Sequence, residues 1–428
     1  MSIHKDIDDL VEAGVIDQST AERMRLYYQA SERSSSSLVI IIFGALGALL
    51  IGLGIILILA HNWDQLPRLL KTVIAFIPLV VGQGLCGYTL WRRQSSQTWV
   101  QASAIFLTLA VGASIALVSQ IYHLEGDLSG FILIWVGLAI PVVYVMRATA
   151  AAMLCVLGSI AYALISIEHQ DTAYFWISLA LVGSLVPYYI SAIKQDWKSN
   201  ALSFLHFLIP INILCSLAIL LSDNIGLSLL LFINVFGLYY MLGHAGQMTK
   251  LPLRRNGYVI IGALGTVGLL LAHTYTDLWK TIHDSQLFNT SAGTGVNIAY
   301  ASTLVLCIVG LAYHFRTGTL DNRRPVMPVF LISGLIYFVS SISPLTAALL
   351  TNLLVVALAV LTIMAGVKRD HLGVLNYGLL IMTALLMCRF FDFNISFVLR
   401  GLLFIAVGIS FFLANSYLIK RRSYDEGK

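Results

Sequence analysis

Residues 57–71 read LILAHNWDQLPRLLK, and this stretch decides the fold class of the chain. An apolar run that begins near Leu38 ends here at His61, and a second apolar run begins after Arg68. A helix needs about 20 apolar residues to cross a hydrocarbon core of about 30 Å, and both runs reach that length. The stretch is therefore typical of a polar corner between two membrane-spanning helices.

The composition of the whole chain agrees with a membrane protein. Hydrophobic residues make up 58% of the 428 residues, charged residues make up 11%, and the mean hydropathy is +0.85. A soluble domain carries about a quarter charged residues. Continuous apolar runs that contain glycine and alanine favour closely packed helices over the alternating pattern of a β-barrel.

Apolar windows long enough to span a bilayer follow one another almost from end to end. They predict an all-α polytopic transmembrane bundle of about fourteen spans, or twelve if the short turns at Arg147 and at residues 340–344 are re-entrant. The windows centre near residues 49, 80, 109, 138, 158, 183, 210, 233, 266, 306, 333, 355, 381 and 407.

The lysine and arginine residues predict the orientation of the chain. If the N-terminus is cytoplasmic, 21 of the 26 basic residues fall on the cytoplasmic side, which is a strong positive-inside bias. Both termini are therefore expected in the cytoplasm. The expected domains are a cytoplasmic helical hairpin and linker at residues 1–37, a transmembrane domain at 38–419 and a basic cytoplasmic tail at 420–428.

The polar segment before the first span has the signals of two short helices. Gly14 is a plausible helix end, and Ser19 with Glu22 fits a capping box that starts a second helix. The hairpin either docks a cytoplasmic protein partner or rests on the inner membrane face. Its small apolar surface favours the second interpretation.

Three polar corners on the predicted outer side form the candidate substrate-binding site. Basic residues are rare on that side, so the position of Arg389 and Arg400 there requires an explanation. Ionisable groups at a membrane boundary are functional candidates. One interpretation is a common outward-facing pocket; the other is a set of separate interfacial anchors, with Arg389 and Asp392 as a structural ion pair. The candidates are His61, Asn62, Trp63, Asp64, Arg68, Gln120, Tyr122, His123, Glu125, Asp127, Arg389, Asp392 and Arg400.

Polar residues deep in the spans are few, and they are expected to form interhelical hydrogen bonds. No Asp or Glu lies centrally in a predicted span, which argues against a carrier that couples to protons or sodium through a midplane carboxylate. The deep polar residues are Gln83, His206, Asn212, Asn234, Asn352 and Asn415.

Signals of enzymes, metals and cofactors are weak or missing from the sequence. It contains no P-loop, HExxH or GxSxG motif, and its five cysteines have no ligand spacing. In the outer loop near residues 274–296, Asp277, His283 and Asp284 could form a metal or acid-base set, but the irregular Ser/Thr/Gly-rich sequence favours a solvated linker. No cofactor, metal or nucleic-acid partner is predicted, and membrane lipids are the expected surroundings.

Two apolar runs have the same ending. GALGALLIGLGIILILAHNW at residues 44–63 and GALGTVGLLLAHTY at residues 262–275 both run into Leu-Ala-His at the predicted outer side. A parallel internal repeat of the kind found in transporters is one interpretation. Common helix-packing sequence is the other, and the differing spacing favours it.

Several of these motifs occur together in one known family. The N-terminal hairpin, AHNWD at 60–64, QIYHLEGD at 120–127, RFFDF at 389–393, SFVLRG at 396–401 and FFLANSYLIKRR at 411–422 resemble the bacterial membrane proteins labelled domain of unknown function 2157. The resemblance is most specific over residues 1–145. It implies a bacterial inner-membrane location and brings no activity with it.

The leading functional hypothesis is transport or translocation of an anionic or amphipathic envelope substrate, either lipid-linked or phosphate-bearing, through the outward-facing pocket. A membrane-embedded transferase that acts on a lipid-linked donor at the outer leaflet is the alternative from another class, since Glu125 and Asp127 could act as bases. A non-catalytic scaffold or sensor is the third hypothesis.

Overall fold

A computed structural model describes residues 10–11, 13–24, 63–169, 171–197, 199–221, 225–284, 294–318, 324–390 and seven positions between 401 and 416. The chain forms two compact units, residues 1–74 and 75–428, which are described separately.

The first unit contains the turn of the predicted hairpin. Gly14 has a left-handed backbone with φ of 70°, so it ends a helical turn as expected. The next helix is capped by Asp17, whose carboxylate accepts the Thr20 amide at 3.2 Å. The prediction of Ser19 as the cap is wrong, because the Ser19 hydroxyl donates to Asp17 at 2.6 Å. These bonds to the exposed carboxylate lower the pKa of Asp17 to about 2.

Thirteen longer helices follow in the described part of the chain. They are α1 (Arg68–Arg92), α2 (Gln97–Tyr122), α3 (Leu128–Met146), α4 (Thr149–Ser166), α5 (Thr172–Asp196), α6 (Asn200–Ala218), α7 (Ile225–Gly243), α8 (Gly257–Ala272), α9 (Thr276–Asp284), α10 (Thr294–Arg316), α11 (Val329–Ser340), α12 (Pro344–Lys368) and α13 (Leu372–Phe390).

Ten of these helices are long and apolar enough to cross a membrane. They coincide with ten of the fourteen predicted windows. The window near residue 266 contains α8, which bends by 86° into α9, and the window near residue 333 contains α11, which has only 12 residues. At 1.5 Å per residue, α11 is about 18 Å long, too short to cross the bilayer alone. The windows near 49 and 407 lie outside the continuously described residues, so fourteen spans and the side of each terminus stay predictions.

Side chains at the helix ends set the corners between spans. Asp127 caps α3 and Asp171 caps α5 by accepting amide hydrogens of their first turns. Asn256 does the same for α8 and also donates to the Gly243 carbonyl at 2.8 Å, so it joins the end of α7 to the start of α8. Capping of this kind satisfies amides that have no partner inside a helix.

Close helix packing depends on glycine at a few contacts. A Cβ added at Gly262 of α8 would lie 2.6 Å from the Tyr240 nitrogen of α7, and one at Gly378 of α13 would lie 2.7 Å from the Ile363 nitrogen of α12. The backbones of these two helix pairs therefore touch directly, as small residues allow in membrane bundles.

Candidate functional site

A groove of about 900 Å³ lies between α1, α2 and α3. Its walls are apolar, and two of its wall residues, Ile134 and Leu138, are more than half exposed at the surface of the bundle. Polar groups line it at several points along its length. Its polar and charged lining residues are Gln83, Ser114, Ser119, Glu125 and Asp127.

Gln83 is the unusual residue of the groove. It is the sixteenth residue of the 25-residue α1 and its side chain is exposed. An exposed amide in an apolar membrane helix is unfavourable unless a polar partner meets it. Gln83 therefore does not form the buried interhelical contact expected for the deep polar residues; it lies on a surface that a ligand can reach.

Two candidate residues from the second corner, Glu125 and Asp127, line the same groove. Asp127 also holds the start of α3: its carboxylate accepts the Gly130 amide at 3.2 Å and the Ser129 hydroxyl. The Ser129 hydroxyl, followed by the Gly130 amide, lowers the pKa of Asp127. The described part of this lining contains no Lys, Arg or His, so the groove offers acceptors and negative charge.

The other candidate residues of that corner have different surroundings. Gln120, Tyr122 and His123 are exposed, and they lie outside the described lining of the groove. His123 ends α2 in a left-handed conformation with φ of 49°, and its amide donates to the Ser119 carbonyl. His123 thus has a structural role at the helix end that sequence reasoning did not assign.

Arg389 lies near the end of α13 and contacts two other segments. Its Nε donates to the Asn352 side chain of α12 at 3.1 Å, and its Nη2 donates to the main-chain carbonyl of Thr274. The guanidinium also lies 4.8 Å from the ring centre of Tyr275. Thr274 follows the C-terminus of α8, where helix carbonyls lack partners and a cation is favourable.

The bend between α8 and α9 is covered by a buried polar cluster. His273 donates to the Leu269 carbonyl at 2.6 Å and shares a hydrogen bond with the Tyr337 hydroxyl of α11. Trp279 of α9 donates to the His273 carbonyl at 2.5 Å. These bonds satisfy the polar groups that the break in the helix exposes, as a non-helical backbone in a membrane protein requires.

Sequence reasoning missed this cluster. The Leu-Ala-His ending of residues 271–273 was its only signal. The expectation of a solvated linker near 274–296 is wrong for residues 276–284, because α9 buries Trp279 and Ile282 completely against its neighbours. His283 donates to the Ser340 carbonyl at 3.0 Å, so that histidine also takes part in packing.

The remaining candidate residues belong to the first unit or fall outside the described residues. Trp63 is half-buried with the Lys71 ammonium 5.7 Å from its ring centre, and Arg68 is exposed at the start of α1. The convergence of the three corners in one pocket stays a prediction. Outside the described residues lie His61, Asn62, Asp392 and Arg400, and the side chain of Asp64.

The deep polar residues divide into two groups. His206 bonds the Tyr189 hydroxyl at 2.5 Å, Asn212 donates to the Val156 carbonyl at 3.2 Å and Asn352 donates to the Thr274 carbonyl at 3.0 Å, which confirms interhelical bonding for these three. Asn234 differs: within the described part of the chain, its buried side-chain nitrogen has no hydrogen-bond partner. Asn415 lies outside the described residues.

Comparison with known proteins gives a family match over part of the chain and no activity. Across the residues that the structure describes, no group of three or more His, Cys, Asp or Glu side chains could hold a metal ion. No curated protein and no solved structure matches the chain. Residues 8–152 match the model of the family described as predicted membrane protein (DUF2157), and this match confirms the resemblance that the motifs of the sequence indicated.

Proposed function

We propose that this multi-pass membrane protein binds an amphipathic envelope lipid in the groove between α1, α2 and α3 and moves its headgroup across the bilayer. The observation that carries the proposal is the exposed Gln83, which lines the same groove as the carboxylates Glu125 and Asp127. A polar headgroup that leaves the membrane surface needs such partners within the apolar core.

The shape of the groove suits a molecule with two chemical halves. Phe76, Leu79 and Phe131 provide apolar surface for a hydrocarbon chain, and the segment from Leu124 to Asp127 provides the polar end. Its volume of about 900 Å³ falls within the range of about 300–1,000 Å³ for small-molecule sites.

The charge of the groove restricts which kind of headgroup it can bind. Carboxylates accept hydrogen bonds and repel anions, so Glu125 and Asp127 favour an ammonium or a group rich in hydroxyls. The expectation of an anionic substrate depended on outer arginines. It gains no support in this groove, because Arg389 bonds to Asn352 and Thr274 on other elements.

The transferase alternative is less well supported by the same residues. Asp127 is engaged by Ser129 and Gly130, and a carboxylate with a lowered pKa is a weaker general base. Glu125 would then act alone. Transport therefore stays the leading proposal.

Purified protein in liposomes tests the proposal. Phosphatidylethanolamine and phosphatidylcholine, each with a fluorophore on the acyl chain, are compared by bleaching the outer leaflet with an impermeant reductant. We expect transfer of phosphatidylethanolamine above that of empty liposomes and slower transfer of phosphatidylcholine, whose headgroup has no donor. Transfer equal to that of empty liposomes, or equal for both lipids, contradicts the proposal.

A matched pair of variants links the transfer to the groove. Gln83→Leu should lower the rate by about tenfold, as expected for the loss of one well-placed polar contact of about 1.4 kcal/mol. Gln195→Leu makes the same chemical change at an exposed residue of α5, outside the described lining, and should leave the rate unchanged. A wild-type rate in Gln83→Leu overturns the assignment of the groove.

A further inference from the structure

A second cavity, of about 640 Å³, lies where the helix pairs α7–α8 and α12–α13 meet. It borders the end of α7, the first half of α8, the end of α12 and the start of α13. This is the end of the bundle where basic residues lie at the connections between helices, at 250–255, at Arg316 and Arg324 and at 368–369. The positive-inside bias assigns those connections to the cytoplasmic side.

The polar side of this cavity is basic. Arg369 and His244 line it, and the groups that act electrostatically on His244 are Arg324, Arg369 and His314. Within the described ranges, the Arg369 side chain has no hydrogen bond or ion pair, and Asp370 follows it in an exposed turn. An arginine that lines an apolar cavity without a carboxylate is stabilised by an anionic ligand.

A hydrogen bond beside the cavity fixes the tautomer of His244. Its Nδ1 lies 2.8 Å from the Tyr240 carbonyl, which can only accept, so Nδ1 carries the proton. Nε2 is then a hydrogen-bond acceptor, which suits a hydroxyl group of a ligand. Two other polar groups of the cavity are already engaged: the Tyr377 hydroxyl donates to the Ala263 carbonyl at 2.8 Å and the Thr362 hydroxyl to the Leu358 carbonyl at 2.6 Å.

The other side of the cavity is apolar and lies at the surface of the bundle. Leu253, Leu264 and Leu380 line it, and each is at least half exposed at the surface of the bundle. Ile260 and Val374 add to this apolar lining. A soluble anion would leave this surface unused, whereas a phosphate that carries a hydrocarbon chain would fill both sides.

We propose that this cavity binds an anionic phospholipid of the cytoplasmic leaflet, with the phosphate on Arg369, a headgroup hydroxyl donating to Nε2 of His244 and an acyl chain against Leu264 and Leu380. The planar guanidinium can donate two parallel hydrogen bonds to phosphate oxygens. Basic pockets between transmembrane helices on the cytoplasmic side recognise anionic headgroups in this way. The site is separate from the groove at Gln83 and selects the opposite charge.

Thermal unfolding of the whole protein in detergent tests the site. Four additions are compared: phosphatidylglycerol, phosphatidylcholine, glycerol 3-phosphate and inorganic phosphate. A ligand that binds only the folded protein raises the melting temperature with its concentration. We expect the largest rise with phosphatidylglycerol. Equal rises with both lipids overturn the preference for an anion, and an equal rise with glycerol 3-phosphate or inorganic phosphate overturns the assignment to a lipid.

Variants then locate the effect. Arg369→Gln should weaken the binding of phosphatidylglycerol by about tenfold or more, since charge-assisted hydrogen bonds to phosphate are stronger than those between neutral groups. Arg316→Gln removes the same charge from an exposed residue outside the described lining and should bind as the wild type does. Full affinity in Arg369→Gln overturns the proposal.

A third variant covers the case in which Arg369→Gln does not fold. Leu264→Trp keeps every charge and fills the apolar side of the cavity from a half-exposed position. It should lose the response to phosphatidylglycerol while its melting temperature without lipid stays near that of the wild type. An unchanged lipid response in Leu264→Trp also contradicts the proposal.

Discussion

Arg389 and Asn352, which are 37 residues apart, meet across neighbouring helices with the guanidinium Nε 3.1 Å from the amide Oδ1. The same guanidinium donates to the Thr274 carbonyl, and Asn352 donates to that carbonyl at 3.0 Å. The two side chains therefore hold the bend after α8 against α12 and α13. This contact explains the position of Arg389, for which the sequence left open a ligand or an ion pair with Asp392.

Arg389→Lys should destabilise the protein. Lysine keeps the charge but cannot donate in two fixed directions, so we expect the free energy of unfolding to fall by about 1–3 kcal/mol. The measurement is denaturation in detergent of Arg389→Lys, Asn352→Leu and the double variant. A coupling energy of about 0.5–3 kcal/mol is expected for side chains in direct contact. Simple additivity would mean that the contact contributes nothing.

Two buried asparagines should respond differently to the same substitution. Sequence reasoning expects replacement of either one to impair folding first. Asn212→Leu should cost about 1–3 kcal/mol, because it removes the buried hydrogen bond that the Asn212 amide donates to the Val156 carbonyl. Asn234→Leu should be close to neutral or stabilising, because its side-chain nitrogen has no hydrogen bond within the described residues. The melting temperatures of both variants test this difference. An equal fall in melting temperature for the two variants would contradict it.

Gly262→Ala should separate the helix pair α7–α8. The added methyl group would lie 2.6 Å from the Tyr240 nitrogen and 2.7 Å from the Phe236 carbonyl oxygen, and neither backbone atom can move alone. Overpacking of this kind costs about 1–3 kcal/mol. Gly268→Ala on the same helix is the control, because nothing lies within 4 Å of its added Cβ. If both variants have the same melting temperature, the close approach of the two backbones is not needed for stability.

The stability of the folded protein should depend on pH through His244. Burial, together with Arg324, Arg369 and His314, lowers the pKa of His244 from 6.5 to about 4. As the pH falls from about 6.5 to 4, the unfolded chain takes up a proton that the folded chain does not, so stability is lost as the pH falls.

That loss is on the order of 1 kcal/mol between about pH 7.5 and 5.5. His244→Asn keeps a donor for the Tyr240 carbonyl and removes the titrating ring. Its melting temperature should fall less between the same two pH values than that of the wild type. An identical fall in both proteins would show that His244 does not contribute.

Cysteine labelling in intact cells tests the orientation. Gly126 and Ser95 are both exposed in loops at opposite ends of α2. With an impermeant thiol reagent outside, cysteine at Gly126 should react and cysteine at Ser95 should not. The five native cysteines are buried or half-buried and provide the background. The reverse pattern would invert every assignment of sides, including the cytoplasmic side of the Arg369 cavity.

Much of the helical architecture was readable from the sequence. A chain in lipid must satisfy its amides and carbonyls internally, so every long apolar run has to be helical, and ten windows are long helices as predicted. Hydropathy does not report a bend. The window near residue 266 contains no proline, and its break at residues 273–275 is stabilised by contacts with Tyr337, Asn352 and Arg389 that come from other helices.

The composition and motifs of the chain by themselves determined the membrane class, most of the helices and a short set of polar residues that includes Arg389, Glu125 and Asp127. Only the tertiary structure decided what those residues do. It bonds Arg389 to Asn352, lines one groove with the carboxylates and Gln83, and surrounds a separate cavity with Arg369 and His244. The physical reason is that hydrophobicity is a local property of a segment, whereas hydrogen bonds and cavities depend on which helices pack together.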